Sequence, residues 1–301
     1  MISFPLESVK RCRRCSMPEL PEVETIRRSL EREVVGKEIV GLELRRPGLL
    51  QDATLEELEE RAVGARISGI RRRAKYLIFD LDNGHSLIFH LGLEGLFLLK
   101  EEATEAVHLI LKFAGGMRLY FDDIKGYGRL FLSPTDRVEE LPGLAKLGLE
   151  PFTSSYRWES FKKLMRTNQE IKRLLLDQAK IAGVGNIYAS EVLYRCRVHP
   201  RQLANELTLS EARCLFDEIQ KIMEEAIAQR GTSVYHYRDI DGSKGEFQKF
   251  LKVYGKAGEP CERCGAPIQE IDQGGRGTFF CARCQPLKSP AKHDIMEDLF
   301  A

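Results

Sequence analysis

Met17-Pro18-Glu19-Leu20-Pro21-Glu22-Val23-Glu24 is the stretch from which the rest of the chain can be laid out. Prolines and acids together suit a helix start: the missing proline N–H costs nothing there, and carboxylates face the positive end of the helix dipole. Val23, Ile26, Leu30 and Val34 then recur on one helical face up to Gly36. Strand-like segments follow at 38–45, 66–72, 75–81, 85–91, 96–99, 107–113, 117–121 and 129–132, interrupted by a short helical pattern at Leu55, Leu58 and Ala62. Asp82-Asn83-Gly84 and Gly115-Gly116 supply hairpin turns. One helix followed by many short strands predicts a β-sandwich with flanking helices.

Between Pro142 and Pro151 the strands stop, and helical patterns occupy 158–166, 169–179, 186–196 and 209–229. The longest begins at Thr208 and Glu211, which have capping-box spacing, and closes at Gly231. The expected organisation is α+β: a sandwich over 17–150, a helical unit over 151–255, a cysteine module over 256–285 and a mobile tail over 286–301. The 301 residues suffice for about two substantial domains.

Composition narrows the function classes. No apolar run reaches the roughly 20 residues of a membrane span, and residues 1–16 lack the apolar core of a secretory signal, which predicts a cytoplasmic protein. The net charge is +1, and setting aside residues 1–16, with four basic side chains and one acidic, leaves −2. Any affinity for nucleic acid must therefore come from a localised basic surface. Of the eight cysteines, Cys196 and Cys214 fall in helical patterns and read as separate buried thiols.

Cys261-x2-Cys264, sixteen residues, then Cys281-x2-Cys284 is the spacing of one structural Zn2+ bound by four thiolates. Gln273-Gly274-Gly275-Arg276-Gly277 would form the tip of the hairpin between the two pairs. Arg276 there is either a solvated turn residue or an arginine presented to a phosphate. Ala182-Gly183-Val184-Gly185-Asn186-Ile187-Tyr188-Ala189-Ser190-Glu191 joins two helical patterns. Its glycines permit close backbone approach, and amides at the start of the second helix suit an anion; a plain interhelical turn has the same local signature. Lys172 and Arg173 on the preceding helix either extend a basic surface or are simply solvated.

These motifs, in this order, resemble the formamidopyrimidine-DNA glycosylase/endonuclease VIII family over residues 17–284, most closely its formamidopyrimidine-DNA glycosylase branch. The resemblance implies a β-sandwich, a helix-two-turns-helix domain with a lesion-capping loop, and a zinc-finger hairpin. It implies a base-excision-repair glycosylase with AP lyase activity, acting on oxidised bases in duplex DNA. Pro18 would be the nucleophile and form a Schiff base, Glu19 the proton donor and shuttle, and Lys75 a proton donor and phosphate contact. His108, Lys125, Asn186 and Arg276 would contact DNA. Leu93, Lys125 and Tyr127 would fill the space left by the everted base. Formamidopyrimidine and 8-oxoguanine are the expected lesions. A preference for oxidised pyrimidines, and a damaged-DNA-binding protein without catalysis, are the alternatives.

The chain departs from the family pattern in that wedge. Leu93 stands where methionine is usual, and Glu94 where a small residue is common. Lys125 replaces an arginine and so loses bidentate geometry, while Tyr127 replaces phenylalanine and can still stack. The start of the chain is the other departure. A terminal proline amine, with a pKa of about 7.7–8.0, is partly unprotonated near neutrality. Inside a peptide bond its lone pair is delocalised and inert. Residues 1–16 precede Met17, so we expect translation to start at Met17 and methionine removal to expose Pro18, making 1–16 a non-native extension and Cys12-x2-Cys15 no metal site. The terminal Met296-Glu297-Asp298-Leu299-Phe300 resembles sliding-clamp-binding peptides; otherwise a monomer is expected.

Overall fold

The computed structural model describes residues 17–99, 105–234 and 236–288. Cys12 and Cys15, and the 296–300 peptide, lie outside the described residues. The first unit runs α1 (Leu20–Val34), β1 (Ile39–Leu44), β2 (Leu50–Gln51), α2 (Leu55–Ala62), β3 (Ile67–Arg73), β4 (Tyr76–Leu81) and β5 (His85–His90). It continues through β6 (Leu96–Leu99), β7 (Val107–Phe113), β8 (Arg118–Asp122) and β9 (Arg129–Pro134). Two sheets form, β1-β7-β8-β6 and β2-β9-β5-β4-β3, antiparallel except for the β2–β9 pair. Their alternating apolar faces meet in an interior where Phe89 packs edge-on against Phe79 at 5.2 Å and Phe97 at 4.9 Å, and Phe97 meets Phe121 at 5.1 Å. Val23, Ile26, Leu30 and Val34 of α1 are fully buried in the same cluster.

The second unit holds α3 (Trp158–Leu164), α4 (Ile171–Leu176), α5 (Asn186–Arg195) and α6 (Leu209–Ala228). The Thr208–Glu211 capping box is present at the start of α6. Its end differs from the expected single glycine: both Arg230, at φ 60°, and Gly231, at φ 82°, are left-handed. Strands β10 (Gln269–Asp272) and β11 (Gly277–Phe280) make the C-terminal hairpin. Leu20 belongs to the helical core while the rest of the apolar face of α1 belongs to the sandwich. Helix α1 is thus shared between the two cores, and it carries Glu19 and Pro18 immediately before it.

Two local expectations are corrected. Lys75 is not in a strand: Ala74 and Lys75 form the two-residue turn between β3 and β4, with Arg73 paired to Tyr76 and Ala74 at φ 50°. The preceding arginines are all paired with carboxylates. Arg71 pairs with Asp80, Arg72 with Glu24 and Glu150, and Arg73 with Glu150, whose side chain is 1 % exposed. A carboxylate so buried requires cationic partners, and two of the arginines supply them.

Cys196 and Cys214 are not separate thiols. The end of α5 packs on the first turns of α6, bringing the two Cα atoms to 5.7 Å, and the sulfurs are joined in a disulfide. Helical periodicity places each cysteine on its own helix but says nothing of which helices touch. The bond closes a segment 18 residues long, worth roughly 3 kcal/mol by loop closure. Digestion without reductant should release the Cys196 and Cys214 peptides as one linked species, and reduction should lower the stability of the helical unit by about that amount. Free thiols at both positions under oxidising conditions would contradict this.

Candidate active site

The starts of α1 and α5 meet head to head. Gly183, at φ 92°, lets the turn before α5 approach so closely that a Cβ there would lie 2.6 Å from Leu20. The Leu20 amide donates to the Gly183 carbonyl at 3.1 Å. A Cβ on Gly185 would fall 2.2 Å from the Glu19 carboxyl carbon. Gln178 fixes this turn, donating to the Leu176 and Val184 carbonyls and accepting from the Gly183 amide. Both glycines are required by this approach, and the turn is more than a connector.

The amides at the start of α5 do hold an anion, and it is internal. Glu19 accepts from Gly185 at 2.7 Å, from Ile187 at 2.8 Å and from Tyr188 at 3.4 Å. The expectation that these amides face an external anion is corrected: the carboxylate beside Pro18 occupies them. Burial raises the Glu19 pKa, and Lys75 together with the three amides opposes the rise. A proton retained longer than on an ordinary glutamate is what a general acid needs.

Glu22 sits one turn along α1 and is as deeply buried. It accepts from the Glu19 amide at 2.9 Å, the Tyr188 hydroxyl at 2.6 Å and the Thr232 amide at 2.8 Å. Burial first, and the neighbouring charge of Glu19 second, push its pKa up to about 7. Its first-turn position is legible in the sequence; its bonds to residues more than 160 positions away are not.

Lys75 reaches the same region from the β3–β4 turn and is buried, which lowers its pKa despite the attraction of Glu19; the charge of Arg276 lowers it further. Asn186 donates through Nδ2 to the Gly277 carbonyl at 3.0 Å, and its Oδ1 has no partner among the described residues. Lys172, expected on a solvated or phosphate-facing surface, is instead fully buried, bonded to Thr278 Oγ1 at 2.7 Å, with a pKa lowered by burial to about 7. The hairpin is thereby seated on α4 and α5, leaving Arg276 exposed at its tip. Pro18 itself is buried at the head of α1. Pro18, Glu19, Lys75, Asn186 and Arg276 thus gather around one junction.

The residues expected to form the wedge gather at a second place. The backbone of Tyr127 lies so close to Gly92 that a Cβ there would be 2.5 Å from it, so the Leu93 and Tyr127 loops abut. Leu93 and Tyr127 are half-buried and Lys125 is exposed beside Ile124, itself 68 % exposed. Asp123 holds this loop through the Lys125 and Gly128 amides. His108 is buried nearby, with Arg46 Nη1 3.4 Å from its Nε2. His90 links the two places. Burial lowers its pKa to about 4, and its neutral Nδ1 accepts from the Gly92 amide at 3.2 Å. Glu94 is buried, with Oε1 4.0 Å from His236 and Oε2 unpartnered among the described residues.

The four thiolates of Cys261, Cys264, Cys281 and Cys284 all lie within 4.8 Å of one another. Tetrahedral zinc with bonds of about 2.3 Å needs sulfurs roughly 3.8 Å apart. The 3.9 Å between Cys261 and Cys284 and the 3.5 Å between Cys264 and Cys281 fit that demand. Glu191, given no role by sequence, is buried and accepts from the amides of Lys252, Val253 and Tyr254, anchoring the approach to this module on α5.

A buried acid near pKa 7 when folded, against 4.5 in the open chain, favours the folded state below pH 4.5. That contribution is lost as pH rises through 7. Denaturation across this range should show the wild type losing on the order of 3 kcal/mol relative to Glu22→Gln. Parallel stability curves would show that Glu22 is not held near-neutral.

Three domain models match in sequence order. They are the formamidopyrimidine-DNA glycosylase N-terminal domain at residues 17–130, its H2TH domain at 147–237, and the zinc finger found in FPG and IleRS at 258–287. The formamidopyrimidine-DNA glycosylase of Pelotomaculum thermopropionicum is 40% identical over 276 residues, which is 90% of this chain and 100% of the relative. That of Streptococcus mutans is 40% identical over 273 residues, 89% of this chain and 99% of the relative. A Lactococcus lactis Fpg complex with DNA containing an abasic site superposes with a TM-score of 0.84 at 40% identity, covering 89% of this chain and 99% of that one. A complex of the same enzyme with DNA containing an oxidised pyrimidine gives 0.83 at 40% identity, covering 89% and 100%. The chain belongs to the formamidopyrimidine-DNA glycosylase family.

Proposed function

We propose that this protein excises oxidised bases, formamidopyrimidine and 8-oxoguanine foremost, from duplex DNA and then cleaves the strand as an AP lyase. The observation that carries the reading is the Glu19 carboxyl, which belongs to the residue following Pro18 and is buried and held by three amides at the start of α5. Pro18, with its nitrogen free as a chain terminus, attacks C1′ of the damaged nucleoside. The N–C1′ bond forms as the glycosidic bond breaks, and the base leaves with the bonding pair and takes up a proton. Glu19 gives its proton to the sugar-ring oxygen as the ring opens, leaving an iminium on Pro18. The iminium acidifies the C2′ proton; its removal expels the 3′ phosphate, and a second elimination expels the 5′ phosphate.

Lys75 and Arg276 supply positive charge beside this centre, and Asn186 is bonded to the Gly277 carbonyl of the finger. Arg276 and Lys125, both exposed, supply the localised basic surface that the near-neutral net charge calls for, and Lys75 and His108 add DNA contacts from more buried positions. Leu93, Lys125 and Tyr127 fill the gap left by the everted base. When bound, one Zn2+ on the four thiolates is structural, because the site leaves no open position. The Lactococcus relative's complex with an oxidised pyrimidine favours a substrate range extending to such bases. A cytoplasmic, DNA-associated monomer fits this activity, and among the described residues no helix is long and apolar enough to cross a membrane.

The reading requires Pro18 to be the first residue of the active form. A chain beginning at Pro18 should release formamidopyrimidine from duplex DNA and nick it, whereas the chain retaining residues 1–16 should bind damaged DNA and leave it intact. Equal turnover by the two forms, or none by either, would overturn the proposal.

A further inference from the structure

We propose that Tyr194 is an outer-sphere partner of the zinc module: its hydroxyl donates to the Cys261 thiolate and slows loss of the metal. The helix that holds Glu19 at its start would then govern metal retention at its end. Tyr194 lies in the last turn of α5 and is 2 % exposed, as is Cys261. Its hydroxyl oxygen stands 3.3 Å from Cys261 Sγ, and that sulfur is the partner the buried hydroxyl finds. A ligating cysteine is a thiolate with no proton to give, so the tyrosine is the donor.

Several contacts hold the ring for this task. Arg263, inside the Cys261–Cys264 knuckle, places its guanidinium carbon 4.1 Å from the Tyr194 ring centroid. It donates through Nη1 to the Tyr194 carbonyl at 2.6 Å and through Nη2 to the Arg195 carbonyl at 3.4 Å, satisfying carbonyls left open at the end of α5. The next two residues tie the same turn to α6. Arg195 pairs with Glu218 at 3.1 Å and with Glu225 at 2.6 Å, and Cys196 is bonded to Cys214. Val253, Ile268 and Cys281 pack in one cluster with the tyrosine. Glu191, about one turn earlier on α5, grips the amides of Lys252, Val253 and Tyr254. The module is thus seated on α5 at two points, its approaching backbone on Glu191 and a metal ligand on Tyr194.

The chemistry of the ligand set gives this contact a purpose. Four thiolates around one divalent ion leave an excess of negative charge, and Cys261 and Cys281 are buried where water cannot offset it. A hydrogen bond to an anionic sulfur is charge-assisted and exists in full only while the sulfur is ionised. It therefore favours the ligating thiolate over the thiol and opposes the protonation through which a metal escapes. Tyr194 acts on the metal through Cys261, so it is a positioning residue of the module.

The test compares zinc-loaded full-length wild type with Tyr194→Phe, which keeps the ring, its burial and its contact with Arg263. Transfer of zinc to a chromogenic chelator should be roughly tenfold faster in the variant, the scale on which outer-shell losses weaken metal sites. In the cobalt-substituted proteins the thiolate-to-cobalt charge-transfer band should move to longer wavelength in the variant. A sulfur that no longer shares a lone pair with a donor gives up an electron more easily. The ligand-field bands should keep their tetrahedral pattern, showing the four-thiolate site still assembled. Lost packing alone would speed release without moving the charge-transfer band. Either effect without the other, or neither, would overturn the proposal. A variant that cannot be loaded is answered on the wild type filled with a magnetic cadmium isotope: the Tyr194 hydroxyl proton should couple to the metal across the hydrogen bond. A visible hydroxyl proton without that coupling would overturn the proposal as well.

Discussion

A single carboxylate at the start of one helix holds the molecule's two halves in register. Glu19 precedes α1, which contributes to the sandwich core, yet its side chain is spent on the amides of α5 in the helical unit. Three donors aimed at one buried carboxylate fix its position far more tightly than a solvated glutamate can be fixed. The glycines at 183 and 185 exist to let that happen, because a Cβ at either would strike Leu20 or Glu19. Since Pro18 is the adjacent residue, the same contact that joins the two units also places the proline.

Electrostatics around the junction lean one way. Burial raises Glu19 and Glu22 and lowers Lys75 and Lys172, so each group is drawn toward its neutral form. Such a site can hold and pass protons near neutral pH, which charged groups at their ordinary values would do less well. The basic groups that stay exposed, Arg276 and Lys125, lie outward of it on the hairpin tip and the wedge loop.

Local signals carried most of the architecture. The eight expected strand segments are all present, because alternation of apolar and polar residues is a property of each segment alone; only the two-residue β2 escaped it. The cysteine spacing found its cluster for the same reason. What was not legible depends on which elements touch. The Cys196–Cys214 bond, the burial of Lys172 against the hairpin and the capture of Arg72 and Arg73 by Glu150 each join positions far apart in the chain. The anion at the α5 amides was foreseen as a type of guest but not as Glu19, since nothing local tells an internal carboxylate from a phosphate. Tyr194 and Cys261, 67 positions apart, carried no signal of their contact in either segment.

The central claim is that the Pro18 nitrogen is the atom that bonds to the sugar. Borohydride reduction during reaction with abasic-site DNA, followed by proteolysis and mass mapping of the cross-linked peptide, tests it directly. The account predicts that the sugar remnant is found on the amine of Pro18 in the chain that begins there. A remnant on Lys75 or another lysine, or no cross-link from a chain with Pro18 free, would contradict it.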